Sequence, residues 1–268
     1  MLNITLVSYI NTRPFIDGIM KEFSESEVKL TLVPPADCAQ ELQDGNCDVA
    51  LVPVGAIKDF ENIAILPNYC LGADGDVESV FILAHSPIQE LDTILLDRHS
   101  RTSNGLAKIL CKHHWNQTVD FIQPDGPNFD KIEGSTGGVV IGDKAIKIRN
   151  QFPYAYDLSG AWKSMTGLPF TFAVWAYRPE KIDQWQQSRL NEAMRKGAAN
   201  VRESALHWAA FYGIDPEFAV HYLEKDMDYR FDADKHKAMR LYLQLLDNQA
   251  DLPHAPISSA ASRKLHST

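Results

Sequence analysis

A chain of 268 residues, 45% hydrophobic and 10% aromatic, is long enough to bury a full core, as one large domain or as two lobes. Its formal charge of −9 argues against a general nucleic-acid surface, which needs clustered lysine and arginine, so an anionic ligand must find local positive potential. No stretch approaches the roughly 18 uninterrupted apolar residues of a membrane span, and the amino terminus lacks a basic segment followed by an apolar run. The expectation is a cytoplasmic protein with no membrane partner and no nucleic acid.

The first element is an apolar, β-branched strand over 3–8, carried by Ile4-Thr5-Leu6-Val7. It runs into Ser8-Tyr9-Ile10-Asn11-Thr12-Arg13-Pro14-Phe15, where Asn11 and Thr12 offer caps and Pro14 suits the first turn of a helix over 13–23. Open α/β sheets bind ligands at such carboxyl ends of strands, and the free N–H groups of the helix start favour a carboxylate. Further strands over 28–33, 48–53 and 63–66 alternate with helical stretches over 35–44 and 55–60. This is a βαβ rhythm, and Asp48-Val49-Ala50-Leu51-Val52-Pro53 reads as a buried parallel strand that its proline halts.

The rhythm then restarts. Strands are expected over 77–84, 93–97, 118–122, 138–142 and 170–177, with helices over 102–114 and 127–132. Ser79 falls in the largely apolar run Val77 to Leu83, as a core hydroxyl or as a polar finger where the chain crosses between lobes. The segment Ser100-Arg101-Thr102-Ser103 repeats the opening logic: its hydroxyls cap the backbone or, with free N–H groups, hold a carboxylate. Gly142-Asp143 closes another apolar strand, and Asp143 either faces a ligand or caps the next helix.

From about Glu180 the pattern turns helical, with Gly213-Ile214-Asp215-Pro216 separating helices rather than domains and a last helix over 234–246. The run Leu252 to Thr268, rich in Ser, Ala and Pro, is expected to be disordered or loosely docked. The organisation expected is α/β and two-lobed, with a ligand cleft between lobes. Residues 1–82 form the first part of lobe 1, 83–172 form lobe 2, 173–250 return to lobe 1, and 251–268 form a tail. The chain crosses near 79–85 and again near 170–176.

Cys38, Cys47, Cys70 and Cys111 are scattered without a paired motif, which suggests small buried thiols. Neither Ser79 nor Ser103 lies in a nucleophile-elbow motif, and no carboxylate pair or histidine cluster has a spacing that signals acid–base or metal chemistry. A site with no cofactor and no metal, acting on a small molecule, is the reading that remains.

Five motifs in order carry a family likeness: Ser8 to Pro14, Asp48 to Pro53, Ser100 to Ser103, Ile141-Gly142-Asp143-Lys144-Ala145, and Thr166-Gly167-Leu168-Pro169-Phe170-x-Phe172-Ala173-Val174-Trp175. Together they resemble the chorismate dehydratase family of the futalosine route to menaquinone. The resemblance implies a type II periplasmic-binding-protein-like fold in a cytoplasmic lyase. That enzyme would convert chorismate to 3-(1-carboxyvinyloxy)benzoate by elimination of water, without a cofactor. It implies Asn11 and Ser79 nearest the reacting ring, with Thr102 and Ser103 as carboxylate ligands. The two helix starts provide anion seats to which Ser8, Thr12, Arg13, Ser100 and Asp143 contribute, and Arg13 and Arg101 supply local charge. The base is either Asp143 or, the favoured version, the substrate's own enolpyruvyl carboxylate. A non-catalytic solute-binding protein of the same fold and the sister enzyme acting on cyclic dehypoxanthine futalosine are the rival readings. The oligomeric state is left open.

Overall fold

A computed structural model describes residues 1–127 and 129–247. The chain begins with β1 (Leu2–Val7), α1 (Arg13–Glu22), β2 (Val28–Val33), α2 (Pro35–Gln43), β3 (Val49–Pro53) and β4 (Ala64–Ala73). It continues through β5 (Val80–Ala84), β6 (Thr93–Leu95), α3 (Arg101–His113), β7 (Asp120–Ile122), β8 (Thr136–Ile141), α4 (Gly142–Ile148), β9 (Tyr154–Asp157) and α5 (Leu158–Thr166). The return comprises β10 (Phe170–Tyr177), α6 (Gln184–Ala199), α7 (Val201–Tyr212), α8 (Pro216–His221), β11 (Asp228–Arg230) and α9 (Ala233–Asp247).

These strands form two mixed sheets, one in the order β11-β4-β10-β3-β1-β2 and the other in the order β7-β6-β8-β5-β9. Each has a parallel part at one side: β2-β1-β3 in the first, β7-β6-β8 in the second. Antiparallel strands complete them, β10 against β3 and β5 against β8. β3 is buried along its whole length because a sheet neighbour lies on either side, parallel β1 and antiparallel β10. Its continuous apolar run is the sequence mark of that position.

β5 pairs wholly within the second sheet and β10 wholly within the first, so the chain crosses before Val80 and before Phe170. Ser79 therefore ends the crossover rather than sitting inside a strand. Glu78 beside it has φ of 60°, a left-handed backbone costly for a residue with a Cβ. That turn is held by the Asp157 carboxylate, which accepts the N–H groups of Val77 and Glu78 at 2.9 and 2.8 Å and also caps α5. An Arg149–Glu78 ion pair braces it from the side.

Several expectations need revision. The strand expected over 63–66 continues to Ala73, past Pro67 and Asn68, because the chain skips pairing there between Ile65 and Cys70. The helices expected over 55–60 and 127–132 are 3-10 turns, Val54–Asp59 and Phe129–Lys131. The tail expectation over 251–268 lies outside the described residues. The four cysteines are buried thiols, as expected. Trp162, Trp175, Phe15, Phe170, Tyr222 and Tyr242 are among the largest fully buried side chains and knit the helical return to the first sheet and its neighbours. Among the described residues no helix is long and apolar enough to cross a membrane.

Candidate active site

In both sheets the parallel strands β1, β3, β6 and β8 direct their carboxyl ends toward the cleft, while β5 and β10 begin there. The loops after these strand ends, and the first residues of the antiparallel strands, enclose a cavity of about 60 Å³. Its polar wall comes from Tyr9, Asn11, Ser79, Ser100, Thr102 and Ser103, and its apolar wall from side chains such as Val7, Leu71, Ile141, Phe172 and Met227. That volume holds a few waters.

The lobes are drawn together around it. The Ile10 N–H donates to Asp143 Oδ1 at 3.1 Å, and the Gly55 N–H donates to Thr102 Oγ1 at 3.0 Å. The same Thr102 hydroxyl donates to the Phe172 carbonyl at 3.2 Å. Gly55 has no spare room: an added Cβ would stand 3.0 Å from the Thr102 backbone nitrogen. Gly142 is equally constrained, with φ of 65° and the Tyr9 ring 2.8 Å from where a Cβ would be.

The sequence-predicted residues divide sharply. Asn11, Ser79, Ser100, Thr102 and Ser103 face one cavity from different parts of the chain. Ser8, Thr12, Arg13 and Asp143 do not line it. Thr12 directs its hydroxyl to the carbonyls of Val7 and Tyr9 at 2.7 and 2.8 Å, tying the turn to the strand it leaves. Ser8 is engaged through its backbone, its N–H on Val33 and its carbonyl taking the Tyr212 hydroxyl. Arg13 turns into the helical layer, where its Nε donates to Tyr212 at 2.6 Å and its guanidinium lies 4.1 Å from the Trp208 ring centroid. Arg101 pairs with Asp59 at the surface. Neither arginine supplies charge to the cavity wall, which among the described residues contains no lysine or arginine.

Positive potential comes instead from backbone. Ser100 caps α3 by accepting the Ser103 N–H, and the first intrahelical bond is that of the Asn104 N–H, so the N–H groups of residues 101 and 102 precede it. Asp143 does not cap α4, whose N-cap is Ile141 without a side-chain bond; its carboxylate spans the cleft to Ile10. Burial there raises its pKa to about 6, against the opposing pull of the Ile10 N–H and the charges of Lys147 and Arg13. Tyr9 is pushed far above the ordinary phenol value by burial and then by Asp97 and Asp143, so it meets the cavity as a neutral hydroxyl.

One residue of the site escaped sequence reasoning. Tyr222, fully buried in a π-helical turn after α8, accepts from Asn11 Nδ2 at 3.1 Å and donates to Ser79 Oγ at 2.9 Å. It joins the two polar side chains expected nearest the ring. A lone tyrosine at a helical position carries no local signal beyond that of a core residue, and its partners lie 211 and 143 positions away.

Fold and cleft place the chain in the class of two-lobed, periplasmic-binding-protein-like α/β proteins. The alkanesulfonate-binding protein SsuA from Xanthomonas axonopodis aligns with a TM-score of 0.65 and 12% identity, covering 94% of each chain. A Candida albicans protein described as having the generic periplasmic binding protein fold aligns at 0.65 and 12% identity, over 92% of this chain and 90% of that one. A protein from Archaeoglobus fulgidus aligns at 0.74 and 16% identity, over 92% and 96%. In sequence, residues 2–248 match a family described as menaquinone biosynthesis, and the chain belongs to that family. It is 29% identical over 249 residues to the chorismate dehydratase of Thermus thermophilus, covering 83% of this chain and 87% of that protein.

Proposed function

We propose that the protein is a chorismate dehydratase, a carbon–oxygen lyase that eliminates water from chorismate to give 3-(1-carboxyvinyloxy)benzoate. The observation that carries this reading is the convergence of Asn11 from lobe 1 with Thr102 and Ser103 from lobe 2 on one cavity. Family membership and the likeness to the Thermus thermophilus enzyme support it.

Chorismate carries two carboxylates and a ring that becomes aromatic once the C3 proton and the C4 hydroxyl leave. The start of α3 suits one carboxylate, because the N–H groups of residues 101 and 102 precede its first intrahelical bond and Ser103 lines the cavity beside them, while the Thr102 hydroxyl, its hydrogen on the Phe172 carbonyl, fixes the turn. Each charge-assisted hydrogen bond there contributes about 1.5 to 3 kcal/mol. As the C3 proton departs, charge flows into the conjugated carboxylate, so donors fixed beforehand bind the transition state more tightly than the ground state.

Asn11 and Ser79 stand beside the ring and hold the hydroxyl that leaves. Asn11 Oδ1 is buried without a partner among the described residues, an acceptor waiting for a substrate O–H. The substrate's enolpyruvyl carboxylate removes the C3 proton and passes it to the departing C4 oxygen, which leaves as water, since Asp143 is committed to the Ile10 N–H and lies outside the cavity wall. The lobes part to admit substrate and close to exclude water, breaking and remaking the Gly55–Thr102 and Ile10–Asp143 bonds.

The test is incubation of the purified protein with chorismate, followed by chromatography. The expected result is loss of chorismate matched by an aromatic product of one water less. A solute-binding protein would return chorismate unchanged, and the sister enzyme would consume cyclic dehypoxanthine futalosine instead.

A further inference from the structure

The hydrogen-bond arithmetic behind Asn11 and Ser79 has a direction. A phenol has one hydrogen to give, and Tyr222 gives it to Ser79 Oγ. Toward Asn11 it then acts only as an acceptor, so the amide must present its nitrogen to Tyr222. Asn11 Oδ1 is left on the opposite side, buried and unpartnered among the described residues. Ser79 Oγ, already accepting, keeps its own hydrogen, and the cavity it lines is where that hydrogen is free to point.

We infer that Tyr222 is a positioning residue that sets the polarity of the site, holding Asn11 as an acceptor and Ser79 as a donor toward the substrate. This rests on the proposed dehydration and deepens it. An elimination of water needs an acceptor to fix the hydroxyl by its proton and a donor to stabilise its oxygen as the bond to carbon lengthens. Both are required in one cavity at fixed orientation, and a free amide or hydroxyl would present either sense.

The surroundings keep the phenol in this role. Burial holds Tyr222 protonated at any working pH, well above the ordinary phenol value. Its ring stacks on Phe218 with an interplanar angle of 11°, and the Met227 N–H closes on its carbonyl at 3.0 Å. The Asn11 backbone is pinned separately, its carbonyl accepting the Tyr229 hydroxyl at 3.0 Å. Removing the Tyr222 hydroxyl alone therefore frees the Asn11 amide and the Ser79 hydroxyl to rotate while the backbone stays in place. The π-helical turn that delivers Tyr222 is a rare element that recurs at functional sites.

Tyr222→Phe keeps the ring and deletes the two bonds. For chorismate turnover the expected result is kcat lower by about 30-fold or more with KM within about threefold of the parent. In a Ser79→Ala background the same substitution is expected to cost less than threefold, because both changes cut one network. A kcat within twofold of the parent, or full additivity, would overturn the inference. A second readout does not need turnover. The Asn11 side-chain amide, assigned in nitrogen-15 spectra by its absence in Asn11→Ala, is expected to shift and exchange faster in Tyr222→Phe at an unchanged melting temperature. Ser79→Ala, which leaves Tyr222 in place, is expected to move it too. If the parent protein leaves chorismate intact, the proposed reaction fails and the amide spectrum alone decides the network; an amide indifferent to both variants sinks it.

Discussion

The two strand-to-helix junctions that meet in the cleft are built from similar residue types and do different things. After β1, the polar side chains divide: Thr12 ties down the turn and Arg13 packs on Trp208, while Asn11 and the neutral phenol of Tyr9 reach the cavity. After β6, Ser100, Thr102 and Ser103 all line the cavity, and the Thr102 hydroxyl reaches across to Gly55 and Phe172. The first junction is a stiff mount for Asn11 and Tyr9; the second is a row of hydroxyls that also clasps the opposite lobe. A strand-to-helix junction thus opens onto the cleft, while local turns and the packing of later helices decide which side chains reach the cavity.

The largest expected effect lies at the mount and at the crossover facing it, where Asn11 and Ser79 stand. Asn11→Ala and Ser79→Ala should each lower kcat/KM for chorismate by at least about 100-fold with little change in melting temperature, in keeping with loss of preorganised groups. Values within twofold of the parent would remove both from the site. On the clasp, Thr102→Val leaves the Gly55 N–H without its acceptor, so KM should rise by about tenfold and stability should fall by about 1 to 3 kcal/mol. Equal kcat and KM in steady-state assays would show that the clasp does not serve binding.

Asp143 sharpens the comparison through pH. Its folded pKa of about 6 lies above the ordinary aspartate value near 3.9, so between those limits the folded protein holds the extra proton and stability falls as pH rises. By pH 7 the buried charge costs about 3 kcal/mol, a cost the Asp143→Asn variant does not carry. Denaturant unfolding should therefore show the variant gaining on the parent from pH 4 to pH 7. A gap that does not change with pH would mean that the carboxylate is not desolvated. The smallest effect is expected for Arg101→Gln, whose ion pair with Asp59 is at the surface: KM within about twofold, where a tenfold rise would place its charge in the site.

Much of this architecture is legible in the residue order. The alternation of apolar runs with capped helices locates β1, β2, β3, β8 and β10 with α1, α2 and α3, since fully buried strands leave continuous apolar runs, whereas α5 over Leu158–Thr166 is not expected from it. β9 is not visible, because Tyr154-Ala155-Tyr156-Asp157 is short and reads as an aromatic loop until β5 pairs with it. β4 is cut short at Pro67 in any local reading, and only its neighbours β10 and β11 show that the strand resumes. The site follows the same rule. Ser100, Thr102 and Ser103 are found because hydroxyls at a helix start are a local pattern; Thr12 turns back onto the nearby carbonyls of Val7 and Tyr9, the fate of Arg13 depends on α7 nearly two hundred positions away, and Tyr222 depends wholly on long-range contacts.

The central claim is that both junctions grip one doubly charged acid. A crystal structure with the aromatic product bound tests it most directly. The account predicts one carboxylate on the first-turn N–H groups of α3 and the Ser103 hydroxyl, with the ring beside Asn11 and Ser79. Product seated elsewhere, or a ring out of reach of the Asn11 side chain, would contradict it.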